Sequence, residues 1–193
     1  MNEAIRSFIA VAMPPEVAER LVAAQDRLRP VAGGVKWVDS GSFHVTLKFL
    51  GAVEEGRLRE TWRSVAEALT GATAFALRLK GVGAFPDARR ARVIWAGTKE
   101  GREELLGLAE RVEQACERHG FARENRPFQG HLTLGRVREP VVNERLVEEI
   151  EGLAGEEFGT VRADRVLLMK SELTPKGARY TELEQTLLEQ RTT

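Results

Sequence analysis

The sequence predicts a mixed α and β fold of two similar lobes facing each other across a cleft, and three observations lead there. Strand and helix periodicities alternate along all 193 residues. A strand, a helix and a His-x-Thr strand occur in the same order in each half, first from Ile5 to His44 and again from Arg92 to His131. Shifting the chain by the 87 residues between the two motif histidines also lays Phe8 on Trp95 and Leu21 on Leu108. A duplicated strand-helix-strand unit buries its apolar faces most simply as two lobes, each carrying one His-x-Thr.

Each element has its own warrant. Ser7 to Met13 is a short apolar run ended by Pro14-Pro15, and Val17, Leu21, Ala24 and Leu28 then recur at helical spacing until Pro30. From Phe43 to Gly51 the apolar Phe43, Val45, Leu47 and Phe49 share one parity and His44, Thr46 and Lys48 the other, as on a half-buried strand. Leu58, Trp62, Val65 and Leu69 mark a second helix. Phe75, Leu77 and Leu79 alternate with Ala76, Arg78 and Lys80, and Ala91 to Ala96 follows the turn at Pro86-Asp87 as another strand. Leu105, Leu108, Val112 and Cys116 predict a helix with Gly120 as its cap. His131 to Val137 reads as strand, Leu146, Ile150 and Leu153 as a short helix, and Val166 to Leu173 as a strand. The Thr174-Pro175-Lys176-Gly177 turn joins that strand to Arg179 to Leu187 in a hairpin.

Composition narrows the function. With 29 Lys plus Arg against 29 Asp plus Glu, bulk charge does not draw the chain along a nucleic-acid backbone, so any RNA contact must be local. A single Cys116 rules out an internal disulfide, and three His leave little from which to build a structural zinc site. There is no basic and apolar leader and no run of about 18 apolar residues. A cytoplasmic monomer with no membrane contact and no cofactor is expected.

The chemistry is carried by His44-Val45-Thr46-Leu47 and His131-Leu132-Thr133-Leu134. On a strand, residues i and i+2 share a face, so each motif sets an imidazole beside a hydroxyl and sends its aliphatic neighbours to the core. Imidazole titrates near pH 6.5, so one His can accept a proton while the other donates one. A Thr hydroxyl on a stiff χ1 can donate to a phosphate oxygen. One such motif alone is more often structural. Two matching tetrads among three histidines are improbable by accident, since each has roughly one chance in a thousand at average residue usage. Duplication of a purely structural strand is the competing explanation.

The motifs and their contexts, Phe43 to Gly51 and Arg126 to Arg136, resemble the 2H phosphoesterase superfamily, and within it the bacterial RNA 2′,3′-cyclic phosphodiesterases, also called 2′-5′ RNA ligases. The similarity extends to Phe8-Ile9-Ala10, Phe85-Pro86, Ala91 to Trp95, Ser171-Glu172-Leu173 and Gly177 to Tyr180. It implies a single α+β domain over residues 1–193, with two antiparallel sheets and outer helices around a V-shaped cleft. It further implies metal-independent opening of a terminal 2′,3′-cyclic phosphate, on RNA or a small nucleotide, to a 2′-phosphate. His44 would be the proton donor and His131 the acceptor, with Thr46, Thr133 and Arg136 on the phosphate; the residues themselves do not say which imidazole is charged.

One departure is Gly130, where relatives commonly carry Pro, and loss of that ring loosens φ ahead of His131. Strict alternation puts Arg136 on the face opposite His131, so a bulge at Gly135 or the strand's end must swing it into the cleft; otherwise it is a solvated edge residue. The runner-up activities are ATP-independent ligation in the reverse direction, cleavage of 2′-5′ oligoadenylates or a cyclic nucleotide, and a silent RNA-end binding module. His119 reads as structural, at a helix C-terminus. Phe8, Trp37 and Phe43 read as core more readily than as base-stacking rings, and Arg89, Arg90 and Arg92 as a solvated run.

Overall fold

In the computed structural model, described for residues 4–138, 142–174 and 177–190, nine strands form one strongly curled sheet with four helices packed on it. The strands are β1 (Ala4–Ala12), β2 (Val35–Trp37), β3 (His44–Glu54), β4 (Phe75–Phe85), β5 (Val93–Thr98), β6 (His131–Val137), β7 (Glu157–Ala163), β8 (Arg165–Thr174) and β9 (Gly177–Leu187). The helices are α1 (Pro15–Leu28), α2 (Glu55–Ala68), α3 (Arg102–Glu117) and α4 (Glu144–Gly152). The strand order is β7-β4-β5-β6-β3-β1-β8-β9, with β2 added on β6, and every pair is antiparallel.

The centre of that order is a seam. β3 and β6, the two His-x-Thr strands, are joined only at Val45↔Leu132 among the described residues. A five-stranded half (β7, β4, β5, β6 and β2) and a four-stranded half (β3, β1, β8 and β9) therefore meet along the motif strands, which is the bilobal α+β arrangement expected. The helices cover the outer faces by the stripes read from sequence: Leu21 and Leu28 of α1, Leu58 and Val65 of α2, and Leu105, Val112 and Cys116 of α3 are all buried. Gly120 ends α3 at φ +76°, the left-handed conformation that a helix cap favours.

Strands β2 and β7 lie where no strand was expected, and β4 runs on to Phe85. A three-residue strand such as β2 has too few side chains to show alternation. The turn residues Pro175 and Lys176 lie outside the described residues, but β8 and β9 pair as the expected hairpin up to Thr174↔Gly177.

The motif strands share a second feature that alternation could not show. Thr46 faces Ala10 and Lys48 faces Ile9, so Leu47 is an extra residue in β3. In β6, Thr133 faces Trp95 and Gly135 faces Ile94, so Leu134 is the extra residue there. Each bulge reverses the parity of the residues after it. Lys48 accordingly turns inward, only 3% exposed, and Phe49 turns outward at 54%, the opposite of the alternation read from sequence. In β6 the same reversal buries Gly135 and exposes Arg136.

Leu134 at its bulge is held firmly. Its carbonyl accepts from Val38 N at 2.9 Å and from the buried Gln25 Nε2 at 2.9 Å, so the acceptor at this bulge is satisfied. The registers also correct the internal alignment of the two halves. Ala10 and Trp95 are the residues opposite the two motif threonines, so Trp95 corresponds to Ala10 rather than to Phe8.

Candidate active site

His44 and His131 open their strands on the two sides of the seam, and each ring is fixed in the same way. His44 Nδ1 lies 2.7 Å from the carbonyl of Ser42, and His131 Nδ1 lies 2.7 Å from that of Gln129. A carbonyl only accepts, so Nδ1 carries the proton in both rings and Nε2 is left to titrate. The upstream carbonyls come from the residue two before each His, and they orient the imidazoles from behind.

Aromatic rings enclose both imidazoles. Phe8 lies 4.7 Å from His44 and Tyr180 meets the same imidazole edge-on at 5.1 Å. Phe85 meets His131 edge-on at 4.9 Å and is backed by Trp95 at 5.1 Å. Burial lowers the pKa of each histidine below the usual 6.5, the backbone hydrogen bond opposes this, and the positive charge of Arg136 lowers both further. The charge of His131 adds to the depression at His44, so the two rings lie within electrostatic reach of each other. Tyr180 is raised by burial, against the nearby charges of Arg136 and Arg6.

Arg136 thus acts on both histidines and on Tyr180 and lines the cavity beside them, so it belongs to the cleft and not to a solvated edge. The bulge that delivers it is at Leu134, one residue before the position expected. Thr46 and Thr133 are half-buried on the same strand faces as their histidines.

Gly130 packs closely against two side-chain ends. A Cβ there would lie 2.5 Å from Leu105 Cδ2 and 2.8 Å from Thr98 Oγ1, and the same Thr98 hydroxyl donates to the Gly130 carbonyl at 3.0 Å. A proline ring would meet the same atoms.

The cavity extends from this centre along β1 and β2. It has a volume of about 430 Å³ and is lined by Phe8, Phe49, Tyr180, Leu173, Trp37 and Arg136 among others. Phe49, Phe85 and Tyr180 had no assigned role in the sequence reading; their signal was membership in the short segments around the motifs that carry the family resemblance. Phe43 is core, whereas Trp37 lines the cavity with Arg29 stacked on its ring at 5.3 Å.

The remaining candidates lie outside the centre. His119 Nε2 is 2.7 Å from Ser64 Oγ and ties α3 to α2. Cys116 is buried, and desolvation pushes its thiol up to about 12. Arg89 pairs with Glu144 and Arg90 with Asp87. Among the described residues no group of three or more His, Cys, Asp or Glu is placed to hold a metal ion, and no helix is long and apolar enough to cross a membrane.

Comparison with known proteins gives a consistent answer. An RNA 2′,3′-cyclic phosphodiesterase of Methanothermobacter thermautotrophicus is 37% identical over 180 residues, covering 93% of this chain and 97% of that protein. One of Archaeoglobus fulgidus is 35% identical over 179 residues, covering 93% and 98%. Among solved structures, TT0787 of Thermus thermophilus superposes with a TM-score of 0.81 at 31% identity, covering 97% of this chain and all of that one. E. coli LigT complexed with 3′-AMP superposes with a TM-score of 0.78 at 25% identity, covering 96% and 99%. The LigT-like phosphoesterase family matches in two consecutive segments, residues 11–95 and 97–180, each containing one His-x-Thr strand. On these segments and relatives, the chain belongs to the LigT-like phosphoesterase family.

Proposed function

We propose that the protein hydrolyses terminal 2′,3′-cyclic phosphates of RNA, or of a small nucleotide, to 2′-phosphomonoesters by metal-independent acid-base catalysis. The observation that carries this reading is the matched pair of imidazoles, each pinned through Nδ1 to a carbonyl two residues upstream and left with a free Nε2. The names of the Methanothermobacter and Archaeoglobus relatives supply the substrate class.

In this mechanism His131 Nε2 takes a proton from water as its oxygen attacks phosphorus. The P–O3′ bond breaks, and His44 Nε2–H gives its proton to the departing O3′. Thr46, Thr133 and Arg136 donate to the phosphate oxygens, where negative charge builds up in the transition state. Burial disfavours the charged form of both imidazoles in the free protein, and a phosphate anion in the cleft favours the charged form of the donor.

The test is incubation of purified protein with EDTA and a short RNA ending in 2′,3′-cyclic phosphate, followed by identification of the monoester. A 2′-phosphate formed at an undiminished rate supports the reading. Loss of activity restored by one divalent ion would overturn metal independence, and a 3′-phosphate would reverse how the ribose lies between the two imidazoles.

A further inference from the structure

The cavity beside His44 is the size of a small-ligand site, which runs from roughly 300 to 1,000 Å³, and it is cationic on both walls. Arg6 comes from β1, which pairs with β3, and Lys36 from β2, which pairs with β6 across the seam, and Arg136 stands at the histidine end. Asp39 is the only carboxylate on the lining among the described residues.

Arg6 and Lys36 are exposed and take part in no ion pair among the described residues. Some other surface cations are paired, as Arg78 with Glu100 and Glu157, and others such as Arg63 and Arg111 are in no ion pair among the described residues; what sets Arg6 and Lys36 apart is their place on this cavity. In a chain of zero net charge, unpaired cations gathered around one hollow form a local anion site. Between them the lining is apolar and open to solvent, with Phe49 54% and Leu173 75% exposed, which suits the face of a base.

Building on the cyclic phosphodiesterase reading above, we propose that this cavity receives the nucleoside whose cyclic phosphate lies between the histidines, and that Arg6 and Lys36 hold its 5′-phosphate. The cyclic phosphate takes one end of the cavity, at Arg136. The next negative charge along an RNA strand is the 5′-phosphate, one ribose away, and the two remaining cations are placed for it on the two walls. A free nucleoside 2′,3′-cyclic phosphate lacks that group, so the enzyme selects strand ends over such nucleosides.

The experiment compares kcat/KM for adenosine 2′,3′-cyclic phosphate, its 5′-phosphorylated form, and the dinucleotide ApA ending in 2′,3′-cyclic phosphate. Wild type, Arg6→Ala, Lys36→Ala, the double variant and the control Arg89→Ala are tested at two salt concentrations. Wild type should prefer both substrates that carry a 5′-phosphate by about tenfold or more, the range expected of a charge-assisted hydrogen bond. The preference should weaken with salt. It should fall within about twofold of unity in the double variant, while the unphosphorylated nucleoside is turned over at the wild-type rate and Arg89→Ala changes nothing.

Equal kcat/KM for all three substrates in wild type, or a preference that survives the double variant, would overturn the cavity assignment and leave the reaction standing. Preference for the 5′-monoester without preference for the dinucleotide would overturn selection of strand ends. Absence of turnover with every substrate would overturn the reaction itself, and the cavity assignment with it.

Discussion

Replacing Lys48 by Met should be among the most damaging changes outside the catalytic centre. Lys48 Nζ lies 2.8 Å from Glu113 Oε1 and 2.7 Å from the Ala122 carbonyl, with side chains only 2% and 12% exposed for the Lys and Glu. Breaking a buried ion pair from one side costs about 3–5 kcal/mol, because the other charge stays buried without its partner. Glu113 keeps a hydrogen bond from Glu124 N at 2.9 Å and a little solvent. That places the expected loss at the low end, about 3 kcal/mol. For a chain of this length the melting temperature should fall by roughly 6–12 °C.

Urea unfolding followed by circular dichroism measures the loss, and the double variant Lys48→Met with Glu113→Leu supplies the decisive comparison. Removing both charges should return at least half of the stability, since no uncompensated carboxylate remains. A loss under about 1 kcal/mol for the single variant, or strictly additive effects in the pair, would refute the claim that Lys48 is held by its buried partner.

Four further outcomes are expected. His44→Ala and His131→Ala should each lower kcat by about two to four orders of magnitude, with the double variant scarcely worse, because groups acting as a unit are non-additive; near-wild-type turnover in either single variant would sink the two-histidine mechanism. The kcat/KM profile should be bell-shaped and centred below pH 6.5, because burial and Arg136 lower both histidines in the free protein, and limbs both above pH 7 would contradict that environment. The same depression opposes protonation in the native state, so its contribution to stability is present above about pH 6.5 and is lost as the pH falls through the lower folded values, which acid titration of the unfolding free energy measures. Gly130→Ala should destabilise by about 1–3 kcal/mol through overpacking against Leu105 and Thr98; a variant as stable and active as wild type would show that the neighbours yield freely.

The sequence made the helices and the motif strands legible because long apolar stripes and two matching tetrads are strong local patterns. The histidine pair was legible for the same reason. The fates of Lys48 and Phe49 were not, because a bulge at Leu47 is set by cross-strand pairing with β1 and leaves no trace in the alternation itself. Arg136 was legible only through the resemblance, with the need for a bulge deduced and its position missed by one residue. The close packing of Gly130 was not legible either, because it comes from Leu105 and Thr98, which are distant in sequence. Phe85 and Tyr180 reach the imidazoles from strands of other segments, a tertiary fact that no window along the chain contains.

The matching bulges have a consequence for which histidine serves as the acid in the proposed mechanism. Two identical halves would offer a cyclic phosphate two equivalent poses, related by exchange of the acid and base roles of the two histidines. On that mechanism the fifth residue after each histidine would break the degeneracy, because the bulges bring a phenyl ring forward at Phe49 and a guanidinium at Arg136. A tenfold bias between poses requires only about 1.4 kcal/mol, and one hydrogen bond to a charged group is worth about 1.5–3 kcal/mol. Divergence at a single pair of equivalent positions is therefore enough to give a doubled fold a direction.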